Sequence, residues 1–454
     1  MEKYEILPTE ENLIEALYRD TIKRNKDIVY FYNILQAQES ASAIAIDGRW
    51  GSGKTFFVRQ TQMVINALNP SSDMDESMRT KITIKLPFSK SNEEKENFNI
   101  AVYYDAWEND NDTEPILSLV YEITKQLSVD FSLSDISIVK TAGAIIEAIS
   151  GHNVNAISDA LTSKDPFTKF KEQKEIEIKI KDFLTSLLAE RGNRLVVFID
   201  ELDRCRPDFT VRLLEQIKHY IFDDRITFVF SVNEEQLQHT IKHYYGEKFD
   251  SCRYLDRFFD LRISLPLADM DNFYEYIGLG SRYYVDIVTR KIVKIFNFEL
   301  REITRFVLQV KAAVYEPTHD NDKYNFSFPD GKGRHAIMTY IVPLLIGLKI
   351  ADVSKFDDFV NGIDSEPLTK VFDLNENNYV LKNMLNHDET FDNEQGKRSV
   401  TQEEVIKRFY EAVFVTQYTG GKYNTVLGQY EFSKESKSFA LRVANMMSDF
   451  AVLA

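Results

Sequence analysis

The segment that most constrains this chain is residues 48–55, which read GRWGSGKT and have the form G-x-x-x-x-G-K-[ST]. A short apolar strand is predicted at 42–47, and a stretch without glycine or proline runs from Thr55 to Pro70. A strand, a glycine-rich turn and a helix in this order bind phosphate, because backbone N–H groups and the positive helix end point at the phosphate oxygens. The segment therefore predicts a phosphate-binding loop.

This loop carries the residues expected to hold a nucleotide. Lys54 can reach the β- and γ-phosphates, and the Thr55 hydroxyl can hold Mg²⁺. No guanine-selective stretch of the N-K-x-D type occurs in the sequence, so ATP is the default nucleotide, although the choice between ATP and GTP stays open. The residues expected to contact the nucleotide are Gly48, Trp50, Gly51, Ser52, Gly53, Lys54, Thr55 and Phe56.

The second half of a hydrolytic site is predicted at Asp200 and Glu201. They follow an apolar run at 195–199, which indicates a strand buried on both faces of a parallel sheet. Ligands bind at the carboxyl ends of such strands, so Asp200 can hold Mg²⁺ and Glu201 can orient and deprotonate an attacking water. Asn233 ends the next apolar strand, where its amide can bond the γ-phosphate or that water. The alternative for Asn233 is a simple strand-end turn residue.

Arginines decide whether such a site works alone or between subunits, because an arginine supplied by a neighbour stabilises the charge of the transition state. A given arginine is more often a surface ion-pair partner than a catalytic one. The candidates are Arg204, Arg206, Arg253, Arg257, Arg301 and Arg305.

Length, charge and cysteine content limit the class of protein. The 454 residues are enough for two or three domains, with ordinary shares of hydrophobic (44%) and charged (28%) residues. A formal charge of −16 does not indicate a nucleic-acid partner, although a local basic patch stays open. Two cysteines and a charged N-terminus predict a cytoplasmic protein.

The longest apolar stretch, 336–348, is too short for a comfortable membrane span and predicts a buried helix.

The patterning along the chain predicts a P-loop NTPase three-layer α/β sandwich with a mostly parallel sheet, followed by an all-α C-terminal region. Beyond the strands named above, 100–104, 226–233 and 261–266 are predicted strands, and 82–86 is a further candidate. An amphipathic helix is predicted over 10–37, and others over 115–128 and 169–190. The predicted domains are a nucleotide-binding core at 1–267 with a helical insertion near 130–165, a lid-like helical subdomain at 268–320 and a mainly helical domain at 321–454.

Taken in order, these landmarks resemble the KAP family of P-loop NTPases over roughly residues 10–310. The most specific part is the segment 199–207, which reads IDELDRCRP. The others are the P-loop with its Trp50, the strand end YDAWE at 104–108, FSVN at 230–233 and YLDRFFD at 254–260.

The resemblance implies a core of the additional-strand, catalytic-glutamate class, related to the AAA+ and STAND ATPases. It implies that Asn233 is a sensor, Arg257 an arginine finger and Arg301 a sensor arginine of the lid domain. It does not fix the roles of Asp203 and Arg204. Many members of the family carry transmembrane helices in the insertion, but here the insertion contains Lys140, Glu147 and Asp159, so no membrane span is expected there.

Three functions stay open at this point. The leading one is a Mg²⁺-dependent, ATP-hydrolysing homo-oligomeric switch in bacterial defence against phage or mobile DNA. The defence role follows only from the association of the family with such systems, and not from the residues. The second is a nucleic-acid-dependent ATPase that clamps or remodels DNA. The third is a nucleotide-binding scaffold that recruits a separately encoded effector protein through its C-terminal third.

Overall fold

The computed structural model describes residues 7–88, 98–127, 191–220, 223–266, 269–319, 331–372, 378–392, 395–418 and 424–446, with scattered positions between 178 and 188. The predicted insertion near 130–165 and most of the predicted helix 169–190 lie outside these residues. The chain forms two compact units, one over Leu7–Asn272 and the other beginning at Phe273. The predicted division at 267 and 320 stays a prediction.

The first unit is built on a parallel sheet, which in the described residues has five strands. The spatial order is β2-β3-β4-β1-β5, and every neighbouring pair is parallel. The strand that carries Asp200 is therefore separated from the P-loop strand by one additional strand, as the resemblance implies. The strands are β1 (Ser42–Asp47), β2 (Asn99–Asp105), β3 (Arg194–Asp200), β4 (Ile226–Val232) and β5 (Leu261–Ser264).

Helices cover both faces of this sheet, which confirms the predicted three-layer sandwich. Apolar side chains of one face pack with α1 to α4, and those of the other face pack with α5 to α8. Strands β1 to β4 alternate between the two cores, so their residues are buried on both sides, whereas β5 at the edge of the sheet is largely exposed. The helices are α1 (Glu10–Arg19), α2 (Asn25–Gln36), α3 (Lys54–Leu68), α4 (Glu76–Thr83), α5 (Pro115–Gln126), α6 (Pro207–Tyr220), α7 (Glu234–Tyr245) and α8 (Ser251–Asp256).

Two of the sequence predictions are wrong in their local detail. The predicted helix over 10–37 is broken, because α1 ends at Asp20 in the left-handed conformation (φ 48°) and the Asp20 carboxylate accepts the Asn25 N–H. The candidate strand 82–86 is instead the end of α4 and a turn. The Asp75 carboxylate caps α4 by accepting the Met78 N–H at 3.0 Å, which commits the segment to a helix.

The described residues of the second unit are helical apart from two short strand pairs, β6 with β7 and β8 with β9. The chain reaches it through α9 (Asp271–Tyr276). The unit's helices and strands are α10 (Tyr284–Phe296), α11 (Leu300–His319), α12 (Lys332–Ala351), α13 (Val353–Val360), α14 (Glu366–Val371), α15 (Tyr379–Asn383), β6 (Glu389–Thr390), β7 (Arg398–Ser399), α16 (Gln402–Phe414), β8 (Asn424–Leu427), β9 (Tyr430–Ser433) and α17 (Ser436–Ala444).

Helix α12 forms the centre of this unit. It is long and apolar enough to cross a membrane by length and composition, yet 72% of its apolar window is buried inside the protein. Gly347 allows close packing, since a Cβ there would lie 2.6 Å from Cγ2 of Ile292 on α10. A buried core helix is what the apolar stretch 336–348 predicts.

In the part of the chain that the structure describes, the outer edge of β2 is covered by side-chain amides rather than by another strand. Asn66 accepts the Ala101 N–H at 2.9 Å and donates to the Ala101 carbonyl at 2.8 Å. Gln126 makes the same pair of bonds with Tyr103, two residues along the strand. Both amides thus satisfy backbone groups that an edge strand leaves open, and they block the addition of a further strand.

We expect Asn66→Leu to lower the free energy of unfolding by about 2 kcal/mol, because the N–H of buried Ala101 loses its partner and its carbonyl keeps only the longer bond from Gln62, at 3.4 Å. Gln126→Leu should lower it less, since Gln126 is exposed and water can replace its bonds. Urea unfolding of both variants measures the difference. Equal losses, or no loss in either variant, would contradict the edge-capping role.

Candidate active site

The P-loop joins β1 to α3 in a conformation that requires glycine. Gly51 and Gly53 have φ angles of 86° and 87°, in the left-handed region that favours glycine. The Gly48 N–H bonds the Val232 carbonyl of β4 at 3.2 Å and fixes where the loop begins. Gly53 is the N-cap of α3 and offers no capping side chain. The first N–H groups of the helix therefore remain available to an anion.

Lys54 is buried, with 8% of its surface exposed, and its ammonium is held by the loop itself. Nζ donates to the Gly48 carbonyl at 2.6 Å and to the Arg49 carbonyl at 3.1 Å. Burial lowers the pKa of Lys54, although the nearby carboxylates of Asp203 and Asp200 act in the opposite direction. The cation thus lies near the carboxylates at the end of β3 and in the turn that follows it.

Asp200 lies at the C-terminal end of β3, opposite Asp105 of β2 and Ser231 of β4. Its carboxylate accepts the Glu201 N–H at 3.0 Å and the Tyr103 hydroxyl at 3.0 Å. Burial, and then the charge of Asp200, raises the pKa of Tyr103, so this hydroxyl stays a donor. Sequence analysis missed Tyr103. Strand alternation could have found it, because Tyr103 lies opposite Phe198 and therefore shares a sheet face with Asp200.

Glu201 leaves the sheet in a left-handed conformation with φ at 61°. Burial, and after it the charge of Asp200, raises the pKa of the Glu201 carboxyl to about 7. The guanidinium of Arg204 acts in the opposite direction and forms an ion pair with Glu201 Oε2. A carboxylate with a pKa near neutrality suits a general base, but here one of its oxygens is held by arginine.

Asp203 links the P-loop to the end of β4. It lies in a 3₁₀ turn (Leu202–Arg204), and its carboxylate accepts the Trp50 Nε1–H at 2.6 Å. The backbone N–H of Asn233 also bonds this carboxylate. Burial raises the pKa of Asp203, and the bond from Trp50 opposes that rise. The turn after Asp200 and Glu201 is therefore bound both to the P-loop and to the end of β4.

The side chain of Asn233 caps α7 in this structure. Its Oδ1 accepts the Gln236 N–H at 3.3 Å, and the carboxylate of Asp47 accepts the Glu234 N–H at 2.9 Å. This corresponds to the strand-end alternative, while the backbone position next to the P-loop agrees with the predicted sensor. Contact between the Asn233 amide and phosphate stays a prediction.

The structure separates the candidate arginines. Arg206 bonds the Asp110 carbonyl, and Arg253 pairs with Asp250 at 3.5 Å.

Arg257 follows α8, is exposed and makes no ion pair within the described residues. Arg301 and Arg305 lie on exposed positions of α11 in the second unit. Only Arg204 contacts the carboxylates of the site among the described residues, and the finger and lid roles stay predictions.

Two buried serine hydroxyls agree with a polar ligand at this site. Ser52 Oγ and Ser231 Oγ have no hydrogen-bond partner in the described part of the chain. Ser231 is fully buried beside Asp200, and buried hydroxyls normally have partners. No cluster of three acidic, histidine or cysteine side chains in the described residues could hold a metal by itself. Thr55 and Asp200 supply the oxygen ligands that Mg²⁺ prefers, and a Mg²⁺ site shared with phosphate stays a prediction.

A buried arginine supports the P-loop from the N-terminal helices. Arg24 is 4% exposed and donates to the Ser52 carbonyl at 3.0 Å and the Pro266 carbonyl at 2.7 Å. It fixes the loop between Gly51 and Gly53, where the backbone must approach phosphate. Sequence analysis did not single out Arg24, because its partners are distant along the chain.

Arg24→Met should lower the free energy of unfolding by about 2 kcal/mol, because two carbonyls lose their charged donor. It should also weaken nucleotide binding, since Ser52 belongs to the P-loop. The matched control is Lys23→Met, whose exposed ion pair with Asp269 should contribute much less. Urea unfolding and equilibrium nucleotide titration measure both effects, and an equal response of the two variants would contradict the supporting role.

Comparison with known proteins agrees with this geometry. A 68-residue stretch is 37% identical to an uncharacterized protein of Methanocaldococcus jannaschii and covers 15% of this chain and 34% of that protein. The chain thus matches about a third of that relative's length. Residues 24–313, more than half of the chain, match the KAP family P-loop domain. The protein therefore belongs to the KAP family of P-loop NTPases.

Proposed function

We propose that this protein hydrolyses ATP with Mg²⁺ and acts as a homo-oligomeric switch. The observation that carries the proposal is the meeting of Lys54, Asp200 and Glu201 at the C-terminal edge of the parallel sheet. The carboxylates of Asp203, Asp200 and Glu201 all lie near enough to Lys54 to oppose the lowering of its pKa by burial, which supports a site with a cation beside carboxylates. Such a set serves phosphoryl transfer, where a cation binds the phosphates and a carboxylate activates water.

In the proposed hydrolysis, some residues of the site bind the phosphates and Mg²⁺, and Glu201 takes part in proton transfer. The P-loop N–H groups and the Lys54 ammonium bind the phosphates, for which Lys54 must exchange its bonds to the Gly48 and Arg49 carbonyls. Thr55 and Asp200 would hold Mg²⁺, which when bound supplies positive charge to the phosphate oxygens. Glu201 accepts a proton from the attacking water at one of its carboxylate oxygens.

The oligomeric part of the proposal rests on Arg257. This arginine is exposed, and in the described residues it makes no ion pair with Asp200 or Glu201 of its own chain. An arginine so placed can complete the site of a second copy, where it would stabilise the transition-state charge. The role in defence against phage rests on the family resemblance alone, and a separate effector protein is part of the same proposal.

The hydrolysis is tested with variants at the two ends of the site. Lys54→Ala should weaken Mg-ATP binding about tenfold or more, because charge-assisted hydrogen bonds are lost. Glu201→Gln should keep binding and lower kcat about 100-fold or more, because the general base is removed. Lys26→Ala, an exposed lysine of α2, is the control. Normal binding by Lys54→Ala, or normal turnover by Glu201→Gln, would contradict the proposal.

The oligomer is tested by native mass. In Mg-ATP, Glu201→Gln should form a single closed oligomer whose mass is larger than that of the nucleotide-free protein. Adding Arg257→Ala to this variant should lower the population of that oligomer. Arg19→Ala, on an exposed position of α1, should have no effect. A mass that does not change with nucleotide would count against the switch, and hydrolysis that requires added DNA would favour the nucleic-acid-dependent alternative.

A further inference from the structure

Arg204 has a position that the proposed hydrolysis does not use. Its guanidinium lies between the indole rings of Trp50 and Trp107, with 5.6 Å from the guanidinium carbon to each ring centroid. Its Nε faces Glu201 Oε2 in an ion pair whose side chains are only 18% and 16% exposed. Arg204 therefore has cation–π contacts on two sides and a carboxylate on a third.

The two indole rings come from different loops of the site. Trp50 belongs to the P-loop, and Trp107 follows β2. Both rings remain about half exposed, at 46% and 54%, so they lie at the mouth of the site rather than in the core. They are the only tryptophans in the sequence. A change in the P-loop at Trp50 therefore acts directly on Arg204.

The ion pair competes with the proposed work of Glu201. To deprotonate water, Glu201 must present a carboxylate oxygen to the bound nucleotide, whereas Arg204 holds Oε2. Trp50 is also tied to the same 3₁₀ turn through Asp203, at 2.6 Å. Phosphate at the P-loop, the position of Trp50 and the orientation of Glu201 are thus joined by direct contacts.

We propose that Arg204 is a positioning residue that restrains Glu201 until nucleotide at the P-loop moves Trp50 and releases it. The inference rests on the proposed function, because a restraint on Glu201 matters only if Glu201 serves hydrolysis. In the restrained state Arg204 holds the carboxylate, and in the released state the carboxylate faces water.

The kinetic test compares Arg204→Gln with the unchanged protein. Release of Glu201 should raise kcat about fivefold while the KM for Mg-ATP changes less than about twofold, because the restraint acts on the base and not on binding. Arg212→Gln removes another ion-paired arginine, which bonds Glu114 at 3.2 Å, and should leave both constants unchanged. A tenfold fall in kcat would overturn the proposal and show that Arg204 acts on the phosphates.

A fluorescence test needs no turnover. In Trp107→Phe the remaining tryptophan is Trp50, beside Arg204. Addition of Mg²⁺ with a nonhydrolysable ATP analogue should change its emission, and the change should be much smaller in Trp107→Phe/Arg204→Gln. An equal change in both variants would overturn the link between Trp50 and Arg204. Circular dichroism of each variant establishes that it folds.

The two proposals fail in different ways. If Lys54→Ala binds Mg-ATP normally, or Glu201→Gln hydrolyses it normally, the proposed function fails and the restraint fails with it. If those variants behave as expected while Arg204→Gln loses activity, only the restraint fails.

Discussion

Parallel pairing of β3, β4 and β1 places the ends of these strands side by side, with Asp200 opposite Ser231 and Asp47 opposite Val232. The P-loop begins where β1 ends, and the Gly48 N–H bonds the Val232 carbonyl. A basic loop and an acidic turn therefore meet at one edge of the sheet, although they lie about 150 residues apart in the chain. Since charges of both signs meet at that edge, Lys54 is held by the carbonyls of Gly48 and Arg49 and lies near the carboxylates of Asp203 and Asp200.

The turn Leu202–Arg204 connects the parts of this edge. Asp203 bonds Trp50 of the P-loop and the backbone of Asn233, while Arg204 pairs with Glu201 and lies against Trp50 and Trp107. Such a turn can couple phosphate binding to the orientation of the base without a large change in the fold, because each contact is direct.

Features set by local pattern could be predicted from the sequence. The apolar runs predicted β2, β3, β4 and β5, and the spacing of Gly48, Gly53 and Lys54 predicted the phosphate loop. Features set by tertiary contacts could not. Arg24 bonds carbonyls that are 28 and 242 residues away in the sequence. The pattern at 82–86 is typical of a strand, but the cap by Asp75 stabilises a helix there instead. Arg204 pairs with Glu201, which is only three residues away, but the role proposed for this pair depends on two tryptophans from other loops.

The most direct measurement of the central claim is a crystal structure of the unaltered protein with Mg²⁺ and a nonhydrolysable ATP analogue. The account predicts that Lys54 Nζ leaves the Gly48 carbonyl for a phosphate oxygen and that the phosphates lie at the N-terminus of α3. It also predicts that Glu201 Oε2 no longer pairs with Arg204. A nucleotide bound elsewhere, with Lys54 still on the Gly48 carbonyl, would contradict it.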